Sequence, residues 1–153
     1  MKTFFKVAGV LILLAAAVFG YIFYMGSSRG PEISERVTDF MYLASGGDAD
    51  SAYEFFSEDL KQAMPLEDFE AAIGDHFSRL NFVEQKQAGY YFFIGTPASS
   101  KFNIFKLARI YEYQGIVTYS RGYEGELFMV FVKEGGQWKL IAFNLVDPYS
   151  VSE

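Results

Sequence analysis

Three patterns of apolar and polar residues follow one another along this chain, and each predicts a different kind of element. Residues 7–25 form one uncharged, largely apolar run. From about residue 34 to residue 80, apolar positions recur at intervals of three, four and seven, the spacing of amphipathic helices. From Phe82 onward, short aromatic and β-branched stretches alternate with turn residues, as strands do. Helices followed by strands predict an α+β domain with an antiparallel sheet.

The helical region is predicted to contain about three short helices. Ser34 is a plausible N-cap of the first, which should end at the glycines of residues 46–47. Asp48 or Asp50 should begin the second. Pro65 fits the first turn of the third, because proline is tolerated where the backbone N–H has no helical partner.

The uncharged run at residues 7–25 is long enough to cross a membrane. It contains 19 residues and follows Lys2 and Lys6, and a helix needs about 20 apolar residues to span the hydrocarbon core. An uncleaved anchor is favoured over a cleaved signal peptide, because apolar residues continue past the possible cleavage site at residues 15–17. The lysines place the N-terminus in the cytoplasm, which predicts a single-pass inner (cell) membrane protein with an extracytoplasmic domain.

The chain is thereby divided into five predicted segments. They are a cytoplasmic N-terminus at residues 1–6, a transmembrane anchor at 7–25, a linker at 26–33, the α+β domain at 34–147 and a tail at 148–153. The linker contains the sequence GSSRGP at residues 26–31, which predicts a short polar hinge.

The stretch FVKEGGQWKLIAFNL, residues 131–145, predicts a hairpin with two apolar faces. Gly135 and Gly136 suit a two-residue turn that pairs Glu134 with Gln137, and successive pairs then point to opposite faces. The better candidate for the helix-facing core is the set Phe128, Val130, Ile141 and Phe143. The opposite face is the candidate partner face, formed by Leu127, Met129, Phe131, Trp138, Leu140 and Ala142.

What covers this second face stays open. A strongly curled sheet would cover it with its own strands or with the C-terminal tail. A second subunit, a protein partner or the membrane would use it as a contact surface, since large apolar patches usually mark interaction sites. An internal ligand pocket is the third alternative.

Charge and cysteine content exclude several classes of function. The net charge is −6, and the part from Ser34 onward carries 10 Lys and Arg against 18 Asp and Glu. Nucleic-acid binding depends on clustered basic residues, so nucleic acid is not expected as a partner. The chain has no cysteine, which excludes disulfides, thiolate metal sites and a cysteine nucleophile.

The segments at residues 46–73, GGDADSAYEFFSEDLKQAMPLEDFEAAI, and 125–145, GELFMVFVKEGGQWKLIAFNL, carry a resemblance to a known family. Across roughly residues 34–146 the chain resembles small bacterial membrane-anchored domains of the nuclear-transport-factor-two-like (cystatin-like) superfamily. The resemblance implies short helices packed on a cone-shaped antiparallel sheet of about four strands. Some members use the cone as an enzyme pocket and others use the sheet to dimerise or bind protein, so the fold does not settle the function.

Side chains that carry chemistry are few, and they form no recognisable catalytic set. Ketosteroid-isomerase-like members of the superfamily use an acidic general base, and Glu112, between Tyr111 and Tyr113, is the alternative pocket acid. Strand alternation turns it away from both tyrosines, which favours a surface or rim position. His76, the only histidine, is expected to be a partly buried, hydrogen-bonded helix residue. No metal or cofactor is predicted.

The sequence therefore predicts a non-enzymatic, membrane-anchored binding or assembly domain. It would act through protein–protein contacts, as a homodimer or as an accessory subunit of an envelope complex. The alternative is a pocket protein that binds or transforms a small hydrophobic ligand in the interior of the cone.

Overall fold

The computed structural model describes residues 2–77, 80–95, 108–146 and 149–150. Within these residues helices precede and pack on an antiparallel sheet, which confirms the predicted α+β class. The helices are α1 (Lys2–Ser45), α2 (Ala49–Tyr53), α3 (Glu58–Ala63) and α4 (Leu66–Phe77). The strands are β1 (Phe82–Gly95), β2 (Ala108–Tyr119), β3 (Tyr123–Glu134), β4 (Gln137–Leu145) and β5 (Tyr149–Ser150).

The first helix, α1, is continuous, so the hinge predicted at residues 26–31 and the N-cap predicted at Ser34 are both wrong. Pro31 lies inside the helix, although its missing N–H removes one helical hydrogen bond. The Ser34 hydroxyl accepts a hydrogen bond from Gln85 Nε2 at 2.8 Å instead of capping a helix. The helix therefore continues through residues 26–31, which by themselves favour a turn, and just beyond them it is bonded to the distant strand β1.

The C-terminal half of α1 supplies one side of the core. Its buried positions follow the predicted helical spacing and are Ile33, Val37, Phe40, Met41 and Ala44. The helix ends at the predicted glycines, since Gly47 has a φ of +79° and the N–H of Asp48 bonds to the carbonyl of Leu43 at 3.0 Å. Among the side chains that the structure describes, no helix offers a stretch that meets the length and apolarity of a membrane span.

The predicted second helix is divided into α2 and α3. Asp48 caps α2 and Ser57 caps α3, each side chain accepting the backbone N–H three residues later at 3.2 Å. Between the two helices the chain extends beside β4, where Ser57 N–H donates to the carbonyl of Leu140 at 2.8 Å and Leu140 N–H donates to that of Phe55 at 2.7 Å. This extended segment partly covers one edge of the sheet.

The sheet has the order β1-β2-β3-β4, with neighbours antiparallel and the short β5 paired to β3. The helices pack on one side, which we call the inner face. Its buried aliphatic and aromatic residues are Phe82, Tyr111, Tyr113, Val117, Tyr119, Leu127, Met129, Phe131, Trp138 and Leu140. The side turned away from the helices is the outer face.

The β3–β4 hairpin follows the predicted pairing for its first four pairs and then departs from it. Gly135 and Gly136 have φ values of +55° and +86°, as the predicted turn requires. After Phe131 pairs with Leu140, a bulge leaves Ile141 without a partner, so that the next pair is Val130 with Ala142. The predicted pairs beyond the bulge are therefore wrong by one residue.

The two faces of the hairpin are the reverse of the prediction. Ala142 is exposed on the outer face, but the other five predicted partner-face residues are buried in the core: Leu127, Met129, Phe131, Trp138 and Leu140. Of the set predicted to face the helices, Phe143 alone packs against this core cluster. Because both faces are apolar, strand alternation separates them without indicating which one meets the helices.

Candidate functional site

The outer face is a broad surface at the centre of which apolar residues lie in adjacent strands. Register places Val130 between Glu112 and Ala142, and Phe128 between Gln114 and Asn144. The row beyond contains Ile116, which is 37% exposed. The central side chains of the outer face are all exposed or half-buried: Gln114, Ile116, Phe128, Val130, Ala142 and Asn144.

A groove of about 460 Å³ crosses this outer face. Ile116 and Phe128 provide apolar walls, and Gln114 and Asn144 provide amide groups. Glu126 adds one carboxylate. Protein–protein contact surfaces have a similar composition, with apolar residues at the centre and polar groups at the rim.

A second, more apolar cleft of about 710 Å³ lies between α1 and β1. Phe19 and Phe23 of α1 line one side, and residues 87–92 of β1 line the other. The two phenylalanines are 73% and 72% exposed. Both belong to the uncharged run that the sequence predicts as the membrane anchor, so this cleft joins that run to the edge strand of the sheet.

A partly buried set of hydrogen-bonded polar side chains fixes the position of β1 along α1. Gln85 Nε2 donates to the Ser34 carbonyl at 3.1 Å and to Thr38 Oγ1 at 3.0 Å, while its Oε1 accepts from the Tyr113 hydroxyl. Gln87 Nε2 donates to the Tyr111 hydroxyl at 3.1 Å. Sequence reasoning missed this set; its only signal is two glutamines on the inner positions of a strand that is otherwise apolar there.

An ion-pair cluster fixes the β3–β4 hairpin to α1. Lys133 Nζ lies 3.3 Å from one carboxylate oxygen of Glu32, and Arg29 lies 3.2 Å from the other. Lys133 also lies 5.0 Å from the centre of the Trp138 ring. Burial alone would raise the pKa of Glu32, but hydrogen bonds from Lys133 and Arg29 and the Lys133 charge lower it below its usual value.

Glu112 does not lie between the helices and the sheet, so its predicted alternative role as a pocket acid in the interior is wrong. Its neighbours in the sheet are Tyr91 and Val130, on the outer face. Tyr111 and Tyr113 point to the inner face, as strand alternation predicted. The three side chains therefore cannot act together on one substrate.

His76 is half-buried beside aromatic residues of the core. Its Nε2 lies 3.0 Å from the Tyr119 hydroxyl, and its ring contacts Phe77 edge-on. This agrees with the predicted partly buried, hydrogen-bonded histidine. In the part of the chain that the structure describes, no three acidic or histidine side chains converge to hold a metal ion.

Aromatic side chains occupy much of the space between the helices and the inner face of the sheet. Burial raises the pKa of Tyr119 to about 12 and also raises the pKa of Tyr111 and Tyr113. Neutral phenols are therefore favoured throughout the physiological range. Phenols in this state act here as hydrogen-bonding parts of the core.

Comparison with known proteins identifies no relative of this chain. No family model, curated protein or solved structure matches the chain. The superfamily resemblance stays a prediction from the sequence.

Proposed function

We propose that this chain is a membrane-anchored binding domain that acts through protein–protein contacts at the outer face of its sheet. The partner is a second copy of the chain or another subunit of an envelope complex. One observation carries the proposal: apolar side chains of three adjacent strands, among them Ile116, Phe128 and Ala142, lie exposed or half-buried on the side opposite the helices. Burial of such a surface against a partner lowers the free energy of the system.

The composition of the outer face supports protein as the partner. Apolar residues occupy its centre, and Gln114 and Asn144 flank Phe128 with groups that can hydrogen-bond across an interface. Glu112 and Glu126 add negative charge to a domain that is already acidic, which disfavours direct contact of this face with anionic lipid. In the superfamily that the chain resembles, some members use the sheet in the same way, to dimerise or to bind protein.

The anchor in this proposal is the uncharged run at residues 7–25. Its length of 19 residues and the preceding Lys2 and Lys6 support a single span of the inner membrane with the N-terminus in the cytoplasm. The exposure of large apolar side chains such as Phe19 also supports it, because such side chains in water are costly. The domain then lies outside the cytoplasm.

The test uses the full-length protein extracted from native membranes in mild detergent. Native mass spectrometry and chemical cross-linking report what accompanies the chain. Ile116→Glu and Ala142→Glu place charges on the outer face. Val83→Glu is the matched control, because it places the same charge at an exposed position at the N-terminal end of β1. Fluorescence of the buried Trp138 reports whether each variant stays folded.

We expect the wild-type chain to carry a second copy or a stoichiometric protein. Both outer-face variants should lose it while remaining folded, and Val83→Glu should retain it. A monomer without any protein partner would contradict the proposal. A small molecule bound to such a monomer would favour the ligand-binding alternative instead.

A further inference from the structure

The edge strand β1 runs alongside α1 in the opposite direction and approaches its N-terminal half. Gln85 bonds to Ser34 and Thr38, and a Cβ added at Gly30 would lie 3.7 Å from Gln87 Oε1. Residues 90–92 then line the cleft with Phe19 and Phe23. Three contact points in order along both elements therefore place the far end of β1 beside the last part of the uncharged run.

This position has a consequence for depth in a membrane. A helix that rises about 1.5 Å per residue needs about 20 residues, hence all of residues 7–25, to cross a hydrocarbon core of about 30 Å. Phe23 is two residues and Phe19 six residues before the end of that run. On this scale they lie about 3 Å and about 9 Å inside the outer boundary of the hydrocarbon.

We propose that the sheet tip, defined as residues 90–94 of β1 with Arg109 and Ile110 of β2, enters the outer interface of the lipid bilayer. The inference rests on the proposed anchor and adds a second membrane contact to it. The tip cannot stay in bulk water if the helix beside it is within the membrane. Its backbone is paired on the side of β2, where Phe92 pairs with Tyr111 and Ile94 with Arg109, whereas the other side of β1 is an open edge. The polar groups of that edge suit the hydrated headgroup region and exclude the hydrocarbon core.

The side chains of the tip suit the interface chemically. Tyr91 is 62% exposed and Ile94 is 49% exposed, and Tyr90 stacks on Tyr111 with ring centres 5.4 Å apart. Tyrosine is enriched where the hydrocarbon meets the headgroups, since its ring is apolar and its hydroxyl is polar. Arg109 is exposed at the same end, and its long side chain can place its charge among lipid phosphates.

The charge of the neighbouring sequence also fits anionic lipid. Residues 96–107, which connect β1 to β2, carry two lysines and no acidic residue. The part of the chain from Ser34 onward, in contrast, has 10 basic against 18 acidic residues. Basic residues near a membrane surface are attracted to anionic lipid.

The absence of cysteine makes a depth measurement direct, because a single introduced cysteine carries the only label. The full-length protein is reconstituted in vesicles of phosphatidylethanolamine and phosphatidylglycerol, with an environment-sensitive fluorophore on the cysteine. Lipids with a nitroxide near the headgroup or deep in the acyl chain then quench labels at known depths. Ile94→Cys probes the tip, and Tyr91→Cys repeats the test should the first variant fail to fold.

Two further positions separate the possible results. Val83→Cys is the matched control, because Val83 is 48% exposed and lies on the same strand. It lies eleven residues from Ile94, about 35 Å along an extended strand. Leu13→Cys, on an exposed position within the uncharged run, reports on the anchor itself.

We expect the deep quencher to reduce the Leu13 signal, the shallow quencher to reduce the Ile94 signal, and neither to affect Val83. A quenched Leu13 with an unquenched Ile94 and Tyr91 would overturn the inference and leave the anchor standing. Quenching of both Ile94 and Val83 would also overturn it, since the domain would then lie flat on the lipid. An unquenched Leu13 would overturn the anchor, and the inference with it.

Discussion

At the scale of single residues, Gly115 provides the space that the Tyr113 ring occupies. A Cβ at Gly115 would lie 2.6 Å from Cε1 of that ring and 2.9 Å from its hydroxyl oxygen. We predict that Gly115→Ala lowers the free energy of unfolding by about 1–3 kcal/mol, because an added methyl group must displace a buried ring from its hydrogen bond to Gln85. Denaturant unfolding in mild detergent, followed by the fluorescence of Trp138, measures the change.

Gly89→Ala is the matched control for this substitution. Gly89 also lies within a strand, but the nearest atom to an added Cβ is Gln114 Oε1 at 3.5 Å, an ordinary contact. Its stability should stay the same or rise slightly, since alanine loses less backbone entropy on folding than glycine. Equal losses in the two variants would show that the effect comes from strand glycines in general and not from Tyr113.

At the scale of elements, the β3–β4 turn makes different demands on its two glycines. Both have positive φ, but asparagine is favoured at the first position of this turn and glycine at the second. We predict that Gly135→Asn leaves the free energy of unfolding nearly unchanged, whereas Gly136→Ala lowers it by about 1–2 kcal/mol. The same denaturant titration compares the two. A greater loss for Gly135→Asn would contradict the turn type.

The elements that the sequence predicted correctly depend on local chemistry. The β3–β4 turn needs positive φ at two adjacent positions, which two glycines allow. Gly47 can end α1 because it also adopts positive φ. The elements predicted wrongly depend on distant contacts. Residues 26–31, predicted as a hinge, are helical. The same helix is bonded at Ser34 and Thr38 to Gln85, which lies about fifty residues later in the chain. The bulge at Ile141 likewise has no marker such as glycine in the sequence.

At the scale of the whole molecule, the candidate surfaces depend on which face of the sheet the helices cover. The sequence showed that both hairpin faces are apolar, but period-two alternation is the same for either choice. Burial of Trp138 and Phe131 settles the choice and leaves Ala142 outside. The cleft between α1 and β1 could not be predicted at all, because it requires the relative position of two elements that are far apart in the chain.

The buried tyrosines make the stability of the whole domain sensitive to alkaline pH. Burial raises the pKa of Tyr111, Tyr113 and Tyr119 in the folded protein, for Tyr119 to about 12. The unfolded chain releases these protons near pH 10, so the free energy of unfolding is unaffected below about pH 10 and falls as the pH rises toward 12. We predict that Tyr119→Phe makes this fall shallower and that Tyr149→Phe, at an exposed position, does not. Denaturant titrations at several pH values across this range measure the slope. Identical slopes in the two variants, or a stability independent of pH, would contradict the burial of these phenols.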